Sequence, residues 1–518
     1  NTAFGKDAGA SLASGGDQNA FFGEDAGDVT TTGTWNTGIG YGALTGNTTG
    51  ASNTGVGRYA LAGNTTASFN TGIGTRALFT STTGSNNTAV GAYALNVNTT
   101  ASDNTAVGYQ ALTTNTTGGN NVGIGWKSME DNTTGGNNTA IGNASLRNNS
   151  TASANTAVGH RALNMNTTGA NNVAVGKDAL LETTTGASNV AVGKDSLYAN
   201  TTGTRNTASG YYALRLNTTG TDNVAIGYDA LTSNTTANYN IGIGRRALKS
   251  NTTGTDNVAL GSHALHDNTT GNYNTALGRD TLGTVTTGSN NTAVGYSALV
   301  SSTASHNTGV GYMSLYTNTT GAENTALGHS SLKMNTTGTR NTAIGGASQL
   351  SVTTGSDNTS VGRDTLYTTT TGASNVAVGS DALKANTTAS HNTGIGYKAG
   401  NATTTGGYNT AVGSNTLLVN TTGYNNVAIG RDSLKTSTTG VDNTAVGSEA
   451  LKYNTTANYN TAIGKAALQA NTTGSQNTAV GLSSADANTT GGDLVAMGWH
   501  ALTTNTTGNS NVGIGSQA

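Results

Sequence analysis

The chain is a tandem repeat with a period of 17 residues. Its anchor is the pentapeptide Asn-Thr-Ala-Val-Gly and close variants. The anchor Asn falls at Asn36, Asn53, Asn70, Asn87, Asn104 and Asn121 and recurs in the same step as far as Asn511. Two steps differ: Asn1 to Asn19 is 18 residues, and Asn291 to Asn307 is 16. A helix–turn–helix repeat needs about 34 residues, so a unit this short cannot be a helical pair. It suits one coil of a parallel β-solenoid, in which no coil buries its apolar side chains until others stack on it.

A typical unit reads N-T-A-V-G-Y-x-A-L-x-x-N-T-T-G-x-x, numbered here as slots 1 to 17. Slot 1 is Asn except at Leu494, and slot 4 is apolar except at Ser209. Slot 5 is Gly throughout, as at Gly40, Gly57, Gly74, Gly91 and Gly108. Slots 1 to 5 alternate in character, the period-two signature of a strand. Slots 8 and 9, usually Ala-Leu, predict a second short strand. The Gly and the Asn-Thr-Thr-Gly between them are turn chemistry.

Stacking places identical slots above one another at about 4.8 Å. Asn36, Asn53, Asn70, Asn87 and Asn104 then form a side-chain amide ladder, and slots 4 and 9 become apolar ridges. The expectation is one continuous solenoid over residues 1–518, an all-β rod of roughly 150 Å at that rise. Its irregularities are confined to the first step, 1–18, and to a one-residue deletion near 300–306. Pro, which would delete a ladder hydrogen bond, does not occur. Acidic residues collect at slots 7 and 17, as at Asp178, Asp195, Asp103 and Asp222, and these variable slots are expected to be solvated. Small residues at slot 3 suit a narrow interior, which turns slots 2 and 4 outward. So long an exposed Val/Ile ridge marks an interface, and three-fold packing would bury it. The alternative is a monomeric solenoid with slot 4 inside.

Composition excludes other classes. Lys and Arg total 23 against 25 Asp and Glu, so no basic stripe is available for nucleic acid. There is no Cys, hence no disulfide framework and no thiolate metal site. No stretch approaches the roughly 18 apolar residues of a membrane span. The chain opens inside a repeat without a signal peptide, which reads as a processed chain or a segment of something longer.

The run from Asn104 to Leu112 resembles the head repeats of trimeric autotransporter adhesins (YadA-like heads), whose unit looks like N-S-V-A-I-G-x-x-A. The copies beginning at Asn172 and Asn223, Asn-Val-Ala-Val-Gly and Asn-Val-Ala-Ile-Gly, are closer still. The likeness covers the whole chain. It implies a left-handed parallel β-roll, three chains packed side by side, and binding to host matrix or surfaces. Similar repeats occur in phage tail fibres. The family's unit is generally shorter and lacks the Asn-Thr-Thr-Gly insert.

Candidate sites are few. Asn-Thr-Thr is a glycosylation sequon, which makes Asn47, Asn64, Asn98, Asn115 and Asn132 glycan acceptors on one reading. The other reading is turn chemistry with hydroxyl ladders, and sugars every 4.8 Å or so would crowd severely. The seven His residues occupy variable slots and read as surface groups. No catalytic, cofactor or metal motif is present, and single-residue indels cannot build a cleft. Thr arrays on a flat solenoid can also match an ice lattice, but here the paired Thr of slots 13 and 14 sit in a turn. The expected function is therefore a non-enzymatic fibre segment of an extracellular appendage, on a cell surface or a virion. Its partners would be further copies of itself and a host or environmental surface, matrix or glycan.

Overall fold

The computed structural model describes residues 1–518 as two compact units, Asn1–Asn257 and Val258–Ala518. The first carries β1 (Thr2–Phe4) to β15 (Ile241–Ile243), and the second carries β16 (Val258–Leu260) to β31 (Val512–Ile514). Within each unit every strand pairs in parallel with the next in chain order. The register is one repeat, as in Thr37↔Thr54 and Thr275↔Thr292. Each unit is thus an all-β parallel solenoid built on the 17-residue repeat.

Only slots 2 to 4 form a strand. The expected second strand at slots 8 and 9 is instead part of a double turn. Ala43 N–H donates to Gly40 O at 3.2 Å, and Asn47 N–H donates to Leu44 O at 3.0 Å. Leu at slot 9 takes a left-handed conformation, with φ of 57° at Leu44 and 46° at Leu434. Slots 7 and 17 are left-handed too, as at Tyr59 (φ 58°) and Asp103 (φ 62°). An apolar Ala-Leu pair looks like a short buried strand in sequence, and periodicity cannot separate the two.

A rule hidden in the composition follows from those φ values. Thr, Val and Ile dominate the rest of the coil, yet no non-glycine residue with positive φ is Thr, Val or Ile. A branched Cβ is at its worst in the left-handed region, whereas Asn and Asp tolerate it. The Asp preference at slots 7 and 17 is therefore a backbone preference, and slot 7 is not the solvated slot the sequence led us to expect: Asp178 and Asp195 are buried, at 4% and 7% exposure, whereas Asp103 at slot 17 is exposed.

Coil-to-coil hydrogen bonds continue through the turns. Tyr59 N–H donates to Tyr41 O of the preceding coil at 2.8 Å, while Leu44 N–H donates to Ala60 O of the following coil at 3.0 Å. The invariant Gly of slot 5 is required twice over. Gly108 has φ of 137°, and a Cβ there would lie 2.3 Å from Gly125 O of the next coil.

The interior is narrow, as slot 3 predicts. Ala106, Ala111 and Leu112, at slots 3, 8 and 9, are fully buried, and so are Asn104 and Asn115 at slots 1 and 12. Two of the coils that depart from this set do so by compensated exchange. In one, Phe21 replaces the small slot 3 residue and Gly27 replaces the slot 9 Leu. In the other, slot 9 is Gln349, whose Nε2 donates to Ser360 Oγ in the slot 3 position above it (2.9 Å) and to Thr342 O (2.9 Å).

Both length irregularities fall at slot 14. In the first coil Ala13 N–H donates to Thr31 O and Asn1 Nδ2 donates to Gly16 O, so Ser14 and Gly15 together fill that one slot. In the short coil Thr303 N–H keeps its bond to Thr319 O and Asn291 Nδ2 donates to Ala304 O, so the slot is skipped. Slot 14 is the exposed apex of a turn, and its length can change without moving any ladder.

Candidate interaction surface

The interior groups are held by two Asn ladders. The first is the one expected from slot 1, but its bonding is richer than an amide stack. Asn53 N–H donates to Asn36 Oδ1 (3.0 Å), and Asn53 Nδ2 donates to Ala67 O on the far side of its own coil (2.9 Å). Asn36, Asn70 and Asn87 repeat this, with Nδ2 reaching Gly50, Gly84 and Ala101 O at 2.8 to 2.9 Å. Asn104 makes the Oδ1 half of the pattern, accepting from Asn121 N–H at 3.0 Å. Asn36, Asn53, Asn70 and Asn87 thus staple their coils shut across slots 1 and 15 and join each to the next, while Asn104 makes only the join. Leu494 receives the previous link, since its N–H donates to Asn477 Oδ1 at 3.0 Å, but it has no amide with which to pass one on.

The second ladder is made by the sequon residues. Asn47, Asn64, Asn98, Asn115 and Asn132 are fully buried. Asn64 Nδ2 donates to Asn47 Oδ1 (2.8 Å) and Ala67 O (3.0 Å). Asn115 Nδ2 donates to Asn98 Oδ1 (3.0 Å), and Asn132 Nδ2 donates to Asn115 Oδ1 (2.7 Å). Nδ2 is the atom that would carry a glycan, and here it is a buried donor in the core of the coil. The adjoining Thr serves the same stack: Thr48 Oγ1 donates to Thr65 O at 2.9 Å. Where slot 12 is not Asn the ladder breaks visibly. Asn166, Asn335 and Asn420 each have an unpartnered Oδ1, and the next coil offers Thr183, Val352 or Ser437 instead of an amide.

With the interior filled, slot 4 points outward, as the sequence predicts. Ile39, Ile226 and Ile429 are 43%, 40% and 40% exposed on a sheet whose slot 3 residues are buried. Slot 2 flanks them with half-buried Thr and Val.

Slot 6, Tyr in the typical unit, adds an aromatic row to which the sequence reading assigned no role. Tyr211 and Tyr228 stack with centroids 5.7 Å apart and planes 4° from parallel. Tyr296, Tyr312 and His329 stack at 5.6 and 5.2 Å. The signal was the recurrence of Tyr or Trp at one slot, as at Tyr41, Tyr109, Trp126 and Tyr397. Near the start of the first unit Tyr41, Tyr59 and Phe79 meet edge to face at 5.1 and 6.1 Å, with Arg58 and Arg76 over the rings. Tyr59 and Phe79 border an open apolar depression of about 420 Å³ that also touches Ala62 and Gly63.

Charged side chains pair between coils. Arg205 grips Asp222 with two bonds (2.6 and 2.8 Å), and Arg340 grips Asp357 likewise (2.7 and 2.9 Å). Both carboxyls are held below their ordinary value by the facing guanidinium. Burial would raise Glu130, but Lys127 (2.8 Å) and Arg147 (2.6 Å) outweigh it and lower it. Stacking also creates His–carboxylate neighbours that sequence spacing does not show. His160 lies 3.8 Å from Asp178 and His263 lies 3.4 Å from Asp280.

No family model matches the chain, and no curated protein matches it. No helix is long and apolar enough to cross a membrane.

Proposed function

We propose that the chain is a structural, non-enzymatic segment of an extracellular fibre, assembling through its outward slot 2 and slot 4 face. The observation that carries the reading is the exposed Ile/Val ridge on a solenoid whose interior polar groups are already stapled together. An aliphatic surface repeated over fifteen or more coils is far larger than the few hundred Å² common on monomers. Side-by-side packing of three left-handed coils, as the resemblance to adhesin heads implies, covers it and leaves slots 6 to 17 free. Attachment to a surface or matrix then comes from many weak contacts of the same kind along the repeat, which avidity multiplies.

Light scattering on the purified chain tests the assembly. A mass of three chains is expected, and Ile124→Thr with Ile141→Thr and Ile226→Thr should lower it while the far-ultraviolet dichroism is kept. A wild-type monomer at micromolar concentration overturns the reading.

A further inference from the structure

We infer that the edge formed by slots 14 to 17 around Gly407 is a binding site for an uncharged sugar ring. The inference concerns a ligand site and does not depend on how the chains assemble. Side-chain variation, rather than any insertion, builds this cavity. Slot 16 is Ser390, Gly407 and Tyr424 in three successive coils. Gly407 leaves the Ser390 backbone uncovered, since a Cβ there would lie 2.9 Å from Ser390 O, and this notch is part of an open groove of about 550 Å³. That volume lies within the range of small-ligand sites, about 300 to 1,000 Å³.

Three features of the lining select the ligand. His391 and Tyr408 stack with centroids 4.8 Å apart and planes 16° from parallel, forming one aromatic wall, and Tyr424 closes the notch from the next coil. The stack turns one face of each ring to its neighbour and leaves the outer face of Tyr408, which is 63% exposed; such a π-face is electron-rich, and the axial C–H groups of a pyranose are weakly positive, so the two attract. The lining also holds Thr388, Thr405 and Thr422, all at exposed slot 14. The neighbouring slot 13 hydroxyls are committed to the ladder, as in Thr387 to Thr404 O (3.1 Å) and Thr404 to Thr421 O (3.0 Å). The slot 14 hydroxyls take no part in that ladder and lie on exposed residues. Finally, the lining contains no Lys, Arg, Asp or Glu. Nothing there would repay desolvation of a charged ligand, which favours a neutral hexose over an acidic one.

The test is saturation-transfer NMR on the full chain with glucose, galactose, mannose and N-acetylglucosamine, each at millimolar concentration. Transfer to ring protons of at least one sugar is expected. Gly407→Ser should weaken it roughly five- to tenfold by overfilling the notch. Ser occupies slot 16 natively at Ser68, Ser85 and Ser102, where Ser68 Oγ accepts from Ala51 N–H of the preceding coil at 3.0 Å, so this variant folds and its side chain covers the Ser390 backbone at the floor of the notch. Tyr408→Ala should weaken binding by a similar factor, and Gly492→Ser, at the same slot elsewhere, should leave it unchanged. The inference is overturned if no neutral sugar receives saturation, if Gly407→Ser binds as well as the parent, or if a Tyr- or Trp-containing peptide binds there in preference. A monomeric mass in light scattering overturns the assembly reading and leaves this one standing.

Discussion

A Cβ placed on Gly27 would lie 2.5 Å from the ring of Phe21. The two residues occupy slots 9 and 3 of one coil, where other coils carry Leu and a small residue. The Phe ring fills the volume that Leu leaves.

This reciprocity predicts a measurable coupling. Gly27→Leu overpacks the coil, and Phe21→Ala opens a cavity costing about 3–5 kcal/mol. The double variant restores the pairing of a small slot 3 residue with Leu found in the following coil, Gly38 with Leu44, and should recover most of that loss. Because a solenoid can open locally, protection of Phe22 and Phe4 amides by hydrogen exchange is the proper readout. Simple additivity of the two single effects would refute the compensation.

Asn206 illustrates what one ladder residue carries. Its Oδ1 accepts from the N–H and the Nδ2 of Asn223, both at 3.1 Å, and its Nδ2 donates to Gly220 O at 2.8 Å. Asn206→Ala strands the buried Asn223 N–H and removes one donor from Gly220 O. At about 1–3 kcal/mol for each buried group left unpaired, we expect roughly 3 kcal/mol of local destabilisation. Exchange should quicken in the two adjoining coils and remain unchanged several coils away.

Slot 14 should accept extra residues where other slots do not. Inserting Ser-Gly after Thr117 lengthens an exposed apex, as Ser14 and Gly15 do naturally, and the melting temperature should fall by no more than about 2 °C. The same insertion after Lys127 displaces Ser128 and Met129, both buried, and shifts every later slot of that coil. Equal losses from the two insertions would contradict the assignment of slot 14 as the adjustable one.

The Arg340–Asp357 pair sets a direction for pH dependence. The hydrogen bond from Arg340 holds the Asp357 carboxyl below its ordinary value, which is about 3.9. A depressed carboxyl stabilises the folded chain above its unfolded value and loses that contribution as pH falls through the folded one. NMR titration should give a midpoint below about 3.9 for Asp357, moving up towards that value in Arg340→Gln. Both groups are solvent-exposed, so added salt should shrink the difference.

How much of this was legible in the sequence can be read residue by residue. Gly108 announced a backbone position that excludes side chains, and Asn53 announced a ladder, because both recur at a fixed step. Ala106 and Val107 showed by alternation which would face in. Leu112 misled, since an apolar residue in a tight left-handed turn has the same periodicity as one in a short strand. Asn115 was ambiguous, because Asn-Thr-Thr describes a glycan acceptor and an internal amide ladder equally well. Tyr408 and Gly407 gave no signal at all as single variable residues.

The sequence by itself determined the period, the parallel register and the inward face of the strand. Each of these depends only on which residue types recur at which step. The tertiary structure alone decided the turn at slots 8 and 9, the burial of the sequon Asn, the place of the two indels, and the notch at Gly407. Those depend on which side chains of different coils become neighbours, and that is fixed by the path of the backbone around the coil rather than by spacing along the chain.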